Sequence, residues 1–292
     1  MGYRSIFHPE LFKDKTIIVT GGGSGIGRCT AHELASLGAN VVLIGRKQEK
    51  LDKVMAEIRE DGGRCSGFAC DIRDEESVRG TVSKIVAENK IIHGLVNNAG
   101  GQFPSPLMAI SKKGWDAVIN TNLTGGFLMA REVFNQSMSS HGGSIVNIVA
   151  DMWNGMPGMG HSGAARAGMV NFTQTAAYEW GHAGVRVNAV APGWITSSGM
   201  DTYPDSFKAV IKTLKAAVPL GRMGNEAEVS SSICFLLSEG AAFISGTTVR
   251  IDGAASQGNV AIYPLQAHKN SKPYDGFHRE IVPALFLDDE GK

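Results

Sequence analysis

The segment Thr16-Ile17-Ile18-Val19-Thr20-Gly21-Gly22-Gly23-Ser24-Gly25-Ile26-Gly27 runs an apolar strand straight into a glycine-spaced turn that opens a helix. Gly21 permits the tight turn, Gly25 lets backbone approach a pyrophosphate, and Gly27 allows the helix to pack closely on the strand. A helix over residues 24–37 then aims its unpaired N–H groups, beginning at Ser24, Gly25, Ile26 and Gly27, at an anion. A second apolar strand follows at 40–44, which places the turn inside a strand–helix–strand unit.

That unit is the first of a series. Apolar runs at 16–20, 40–44, 64–69, 94–97, 143–149, 185–190 and 247–251 predict strands. Helical patterns near 24–37, 48–60, 74–88, 113–138, 163–181 and 226–237 fall between them. Nearly continuous apolar strands alternating with helices predict an α/β fold: one doubly wound parallel sheet covered on both faces, spanning residues 1–253. Two segments interrupt the rhythm. Residues 194–220 follow a strand whose carboxyl end faces the ligand side of such sheets, which makes them a lid. Residues 254–292 form a polar tail with Pro264, Pro273 and Pro283 and an apolar patch at 281–287, open to a partner subunit or to disorder.

The 292 residues carry 28 basic and 28 acidic side chains, so no net charge draws the chain to nucleic acid or an anionic membrane. Cys29, Cys65, Cys70 and Cys234 are scattered and lack zinc spacing, which reads as free thiols in a reducing compartment and no metal. The first residues resemble neither a signal peptide nor a membrane span.

After the second strand, where a dinucleotide site usually places an acid on the adenosine ribose, the chain reads Ile44-Gly45-Arg46-Lys47. Two cations there suit a 2′-phosphate and favour NADP(H), although they also read as a solvated pair opening a helix. Asp71 and Ile72, after the third strand, meet the adenine edge, with a helix cap as the other role for Asp71.

Asn97-Asn98-Ala99-Gly100, Asn122-Leu123-Thr124-Gly125 and Pro192-Gly193-Trp194-Ile195 follow the glycine turn in order. With it they resemble the short-chain dehydrogenase/reductase family over about residues 13–253. The resemblance implies a single-domain Rossmann fold, a nicotinamide cofactor and a homotetramer. It also implies that Asn98, with Ala99 and Gly100, lies on the cofactor's ribose side, that Asn122 is the active-site asparagine, and that Pro192, Gly193, Ile195 and Ser197 face the nicotinamide.

The catalytic pattern departs from that family. The position of its serine holds Ala150, that of its helix tyrosine holds Ser162, and that of its lysine holds Arg166. An aliphatic hydroxyl is a far weaker acid than a phenol, so Ser162 cannot protonate an alkoxide as tyrosine does. Arg166 still offers charge and ribose contacts. Reduction of a C=C bond conjugated to a thioester tolerates this loss, because the developing enolate first needs donors at its oxygen, such as Asn122 and Ser162.

The runs Gly100–Pro106, Ser111–Trp115 and His161–Gly168 are similar to peroxisomal trans-2-enoyl-CoA reductases, whose 2,4-dienoyl-CoA relatives also have serine at the tyrosine position. Bacterial short-chain dehydrogenases of citronellol catabolism resemble the chain as well. The expected substrate is therefore a small apolar acyl or terpenoid chain, with citronellol-type alcohol oxidation and a silent NADP(H)-binding protein as alternatives. Asp151 and His161 are candidate proton carriers, each equally readable as loop or helix-start residues. Tyr178 is excluded by distance, whereas Tyr203 lies in the lid as a surface anchor or a group able to swing in. Trp153, Met156, Met159, Trp194 and Met200 read either as an apolar channel or as core. The ending Asp289-Glu290-Gly291-Lys292 differs from a peroxisomal import signal, so the expectation is cytoplasmic.

Overall fold

The computed structural model describes residues 2–260 and 262–287. Its strands are β1 (Thr16–Thr20), β2 (Asn40–Gly45), β3 (Arg64–Ala69), β4 (Gly94–Asn97), β5 (Gly143–Ile148), β6 (Val185–Pro192), the short pair β7 (Ile195–Thr196) and β8 (Gly224–Asn225), and β9 (Thr248–Ile251). The helices are α1 (Gly25–Ser36), α2 (Gln48–Glu60), α3 (Glu75–Asn89), α4 (Lys112–Ile119), α5 (Gly125–Val133), α6 (Ser139–His141), α7 (Gly160–Trp180), α8 (Asp205–Ile211), α9 (Glu226–Leu237) and α10 (Ala284–Leu287).

Seven parallel strands lie in the order β3-β2-β1-β4-β5-β6-β9. The order reverses between β1 and β4, and a crevice opens there at the carboxyl ends of the strands. Strand alternation divides the core between the two faces. Ile17, Val19, Val41 and Leu43 pack beneath α1, α2 and α9. Ile18, Val42 and Ile44 pack with Val78, Val82, Met129 and Val133 of α3 and α5 on the other face.

The long helix expected over 113–138 is interrupted. Asn120–Thr124 and Phe134–Met138 are π turns on either side of α5. Such turns carry an extra residue per turn and re-aim side chains, commonly at functional sites. The helix expected from 163 begins three residues earlier, at Gly160.

The lid segment folds into a 3₁₀ turn (Ser198–Thr202), α8 and a second 3₁₀ turn (Leu214–Ala217). The tail returns to the same chain. Arg279 pairs with Asp61 at 2.9 Å and Glu60 at 2.8 Å, while Phe277 is buried beside Cys29 and Ala227. Leu285 packs on Met200 and Ile211 of the lid, and Asp201 accepts from the Ala284 and Leu285 N–H groups. The 281–287 patch is thus partly covered from within the chain, while Ile281, Val282 and Leu287 stay exposed. Residues 288–292, at the end of the expected tail, lie outside the described residues.

Candidate active site

The glycine turn is held by side chains from the neighbouring strand. Thr20 Oγ1 donates to the Val96 carbonyl and accepts from the N–H groups of Asn98 and Ala99, both at 3.0 Å. Asn98 Nδ2 donates to the carbonyls of Thr20 at 2.9 Å and Gly21 at 3.3 Å. The Asn98 amide nitrogen thus braces the turn, and the same residue borders the cleft beside it. Gly21 adopts φ +66°, and a Cβ on Gly27 would stand 2.4 Å from both Asn98 Nδ2 and the Gly21 carbonyl, so neither position has room for a larger residue. Ser24 is the N-cap of α1 but makes no side-chain capping bond, leaving the first N–H groups of the helix without a cap. Gly25 and Ile26 continue this rim. Glu226, at the start of α9, stands behind it, its Oε1 3.8 Å from where a Cβ on Gly25 would be. Burial pushes the Glu226 carboxyl up to about 7.

Beside the turn, a recess of about 220 Å³ gathers Arg46, Lys47, Lys50, Asp71, Ile72 and Arg73. Arg73 chelates the Asp71 carboxylate with Nε at 2.8 Å and Nη2 at 2.5 Å, which holds that carboxyl below its ordinary range. Asp74, not Asp71, caps α3, accepting from the Ser77 N–H at 2.7 Å. Arg73 went unread in the sequence, since one arginine among polar residues gives no local signal.

The recess opens into a cleft of about 470 Å³ at the switch between β1 and β4. Asn98, Ala99, Gly100, Pro192, Gly193, Ile195 and Ser197 line it, as does Arg166. Arg166 Nη1 donates to the Ile148 carbonyl at 2.5 Å, while its buried Nε has no partner. Burial lowers the Arg166 pKa to about 10, and the guanidinium forms no ion pair among the described residues. A buried cation with a spare donor, beside a turn of free N–H groups, fits the ribose and phosphates of a dinucleotide.

Asn122 is placed by the first π turn, and both ends of its amide are engaged by one peptide unit. Oδ1 accepts from the Gly101 N–H at 3.0 Å and Nδ2 donates to the Gly101 carbonyl at 2.7 Å. One donor and one acceptor position of the Asn122 amide are thus tied to the Gly100–Gln102 loop. That loop carries Gln102, whose Oε1 accepts from Ser162 Oγ at 2.7 Å and whose Nε2 donates to Tyr203 Oη at 3.1 Å. Ser162 is fully buried, whereas Gln102 and Tyr203 line the cleft.

Asp151 does not join this group. It lies near Asp252 and Arg250, outside the residues lining the cleft, and burial together with the Asp252 charge raises its carboxyl. Arg250 stacks over Trp153 at 3.9 Å. His161 is buried edge-on to Phe103, with Nδ1 accepting from the Ser162 N–H. Of the five channel candidates, Trp194 and Met200 line the cleft, while Met156 packs on Gly163 and Met159 is buried. Tyr178 is exposed. A larger hollow of about 640 Å³ lies at the amino-terminal ends of the strands, around His93 and Arg186, away from the switch point.

The family model for enoyl-(acyl carrier protein) reductase matches residues 21–256. A citronellol catabolism dehydrogenase from Pseudomonas aeruginosa PAO1 is 66% identical, with a TM-score of 0.79 covering 87% of this chain and 100% of that one. The (3E)-enoyl-CoA-producing peroxisomal 2,4-dienoyl-CoA reductase of Danio rerio is 34% identical over 87% of this chain and 85% of its own. A 3-oxoacyl-(acyl-carrier-protein) reductase of Thermotoga maritima is 34% identical over 82% of this chain and 96% of its own.

Proposed function

The chain belongs to the short-chain dehydrogenase/reductase family, and from that premise we propose that it is an NADP(H)-dependent oxidoreductase reducing a C=C bond conjugated to the thioester of an acyclic, apolar acyl chain. The observation that carries this reading is Ser162 at the helix position of the family's tyrosine, tied to Gln102 at 2.7 Å. A buried serine whose hydroxyl is donated to Gln102 is a poor acid for an alkoxide, whereas an enolate oxygen needs only a nearby hydrogen-bond donor such as the Gln102 amide.

A bound nicotinamide dinucleotide supplies the hydride. The uncapped N–H groups from Ser24 to Gly27 would receive its pyrophosphate, and Arg46 and Lys47, with Arg73 and Lys50 nearby, would receive the 2′-phosphate. Arg166, with its spare Nε donor, would hold the nicotinamide ribose, and Ile195 and Ser197 would lie on the nicotinamide side. Trp194, Met200 and Ile211 give the substrate chain an apolar wall and exclude water. Asp151 stays outside this mechanism.

A second reading, oxidation of a citronellol-type terpenoid alcohol, is favoured by the 66% identity to the citronellol catabolism dehydrogenase. The proposal includes a homotetramer and a cytoplasmic location. Among the described residues no helix is long and apolar enough to cross a membrane. Sedimentation tests the assembly. The function is tested by following NADPH oxidation with trans-2-enoyl-CoA substrates and NADP⁺ reduction with citronellol. Enoyl-dependent oxidation is expected. Turnover of citronellol alone selects the second reading, and tight NADPH binding with no turnover of either substrate leaves a silent binding protein.

A further inference from the structure

We propose that Tyr203, carried by the lid, is the acid that protonates the substrate and so replaces the phenol missing from α7. This deepens the reading above and rests on it. Three observations converge. Ser162, at the family's tyrosine position, is fully buried and is not among the residues lining the cleft, whereas Gln102, bonded to it at 2.7 Å, is. The other end of the same amide holds Tyr203 Oη at 3.1 Å. Tyr203 lines the cleft with Arg166, and its ring packs on Phe207 at 5.1 Å between centroids, within the apolar cluster of the lid. Through the exposed Gln102 amide the lid hydroxyl is linked to a buried residue of α7.

The chemistry balances. Once the β-carbon has taken a hydride from the reduced dinucleotide, the C=C electron pair sits on the enolate. The Tyr203 O–H bond breaks as a C–H bond forms at the α-carbon, and the resulting phenolate takes a proton from water at the edge of the lid. Phenols are far stronger acids than aliphatic alcohols, so a phenol can serve here where Ser162 cannot. Gln102 and Ser162 are positioning residues in this scheme, because the amide fixes the phenol without carrying its proton.

Tyr203→Phe removes the hydroxyl and keeps the ring. With an enoyl-CoA substrate that the wild type turns over, kcat is expected to fall about 100-fold. KM stays within about threefold, as do the calorimetric affinities of the cofactor-free protein for NADPH and for a saturated acyl-CoA. Product formed in D₂O gives a second readout. The wild type places deuterium on one face of the α-carbon, and Tyr203→Phe loses that preference because water protonates both faces. Retained kcat with single-face deuteration in Tyr203→Phe overturns the assignment, as does a loss confined to KM or to binding. A wild type that turns over no enoyl substrate instead sinks the parent reading.

Discussion

The two ends of the cleft are built differently. The dinucleotide end is backbone: a glycine turn locked by Thr20 and Asn98, free N–H groups, and a recess of cations. The chemical end is three side chains from three segments, with Gln102 separated from Ser162 by 60 residues and from Tyr203 by 101. A binding site of the first kind is rigid and tolerates little change. One of the second kind can exchange its acid without disturbing the first, and the proposed role of Tyr203 depends on that separation.

The contrast breaks most sharply at Gly27. Gly27→Ala drives a methyl into the Gly21 carbonyl and Asn98. It is expected to cost at least about 3 kcal/mol of stability and to weaken NADPH binding more than about 100-fold, read by thermal unfolding and fluorescence titration. Unchanged affinity would mean that the turn is not the phosphate cradle. Arg46→Ala removes a cation from the recess. One charge-assisted hydrogen bond is worth about 1.5–3 kcal/mol, so the preference for NADPH over NADH should fall about 10- to 100-fold. A variant that keeps the wild-type preference would remove Arg46 from the 2′-phosphate site.

Asn122→Ala joins the two ends. It strips both partners from the Gly101 peptide and loosens the loop bearing Gln102, so kcat should fall about 10-fold while NADPH affinity holds. An effect on affinity alone would assign Asn122 to the cofactor side. The smallest effect on function belongs to Glu226. Its carboxyl is raised by burial to about 7, so its ionisation works against folding. The penalty is absent below the ordinary carboxylate range, grows as pH rises toward 7, and is complete above it. Glu226→Gln should therefore raise stability at pH 8, by on the order of 3 kcal/mol, and do little near pH 5. NADPH binding should tighten a few-fold at the higher pH as a charge behind Gly25 is removed. Equal melting shifts at both pH values would contradict the buried-acid assignment.

The strand–turn–helix frame at the glycine end of the cleft was legible in the sequence because each part of it is local. Apolar parallel strands, glycine spacing and the pair Arg46 and Lys47 sit within a few residues of one another, and β1, β3, β4 and α2 fall where the pattern puts them. The chemical end was only half legible. Ala150, Ser162 and Arg166 marked the departure from the family pattern, whereas the Ser162–Gln102–Tyr203 contacts are ones no local pattern encodes. The π turn that seats Asn122 is invisible in helical periodicity. Asp151, chosen for standing next to β5, lies instead with Asp252 and Arg250, and Asn98 serves the turn. Gln102 stood inside a quoted motif without a partner to give it meaning. The fold of the tail was equally hidden, since Arg279 meets Asp61 across 218 residues.

The central claim is that holding the cofactor and supplying the proton are separable in this molecule. The most direct test is the double variant Gln102→Leu/Tyr203→Phe, with NADPH dissociation constant and kcat measured on the same preparation. The account predicts an affinity within about threefold of wild type and a kcat lowered at least about 100-fold. Affinity and turnover falling together, or turnover surviving, would contradict it.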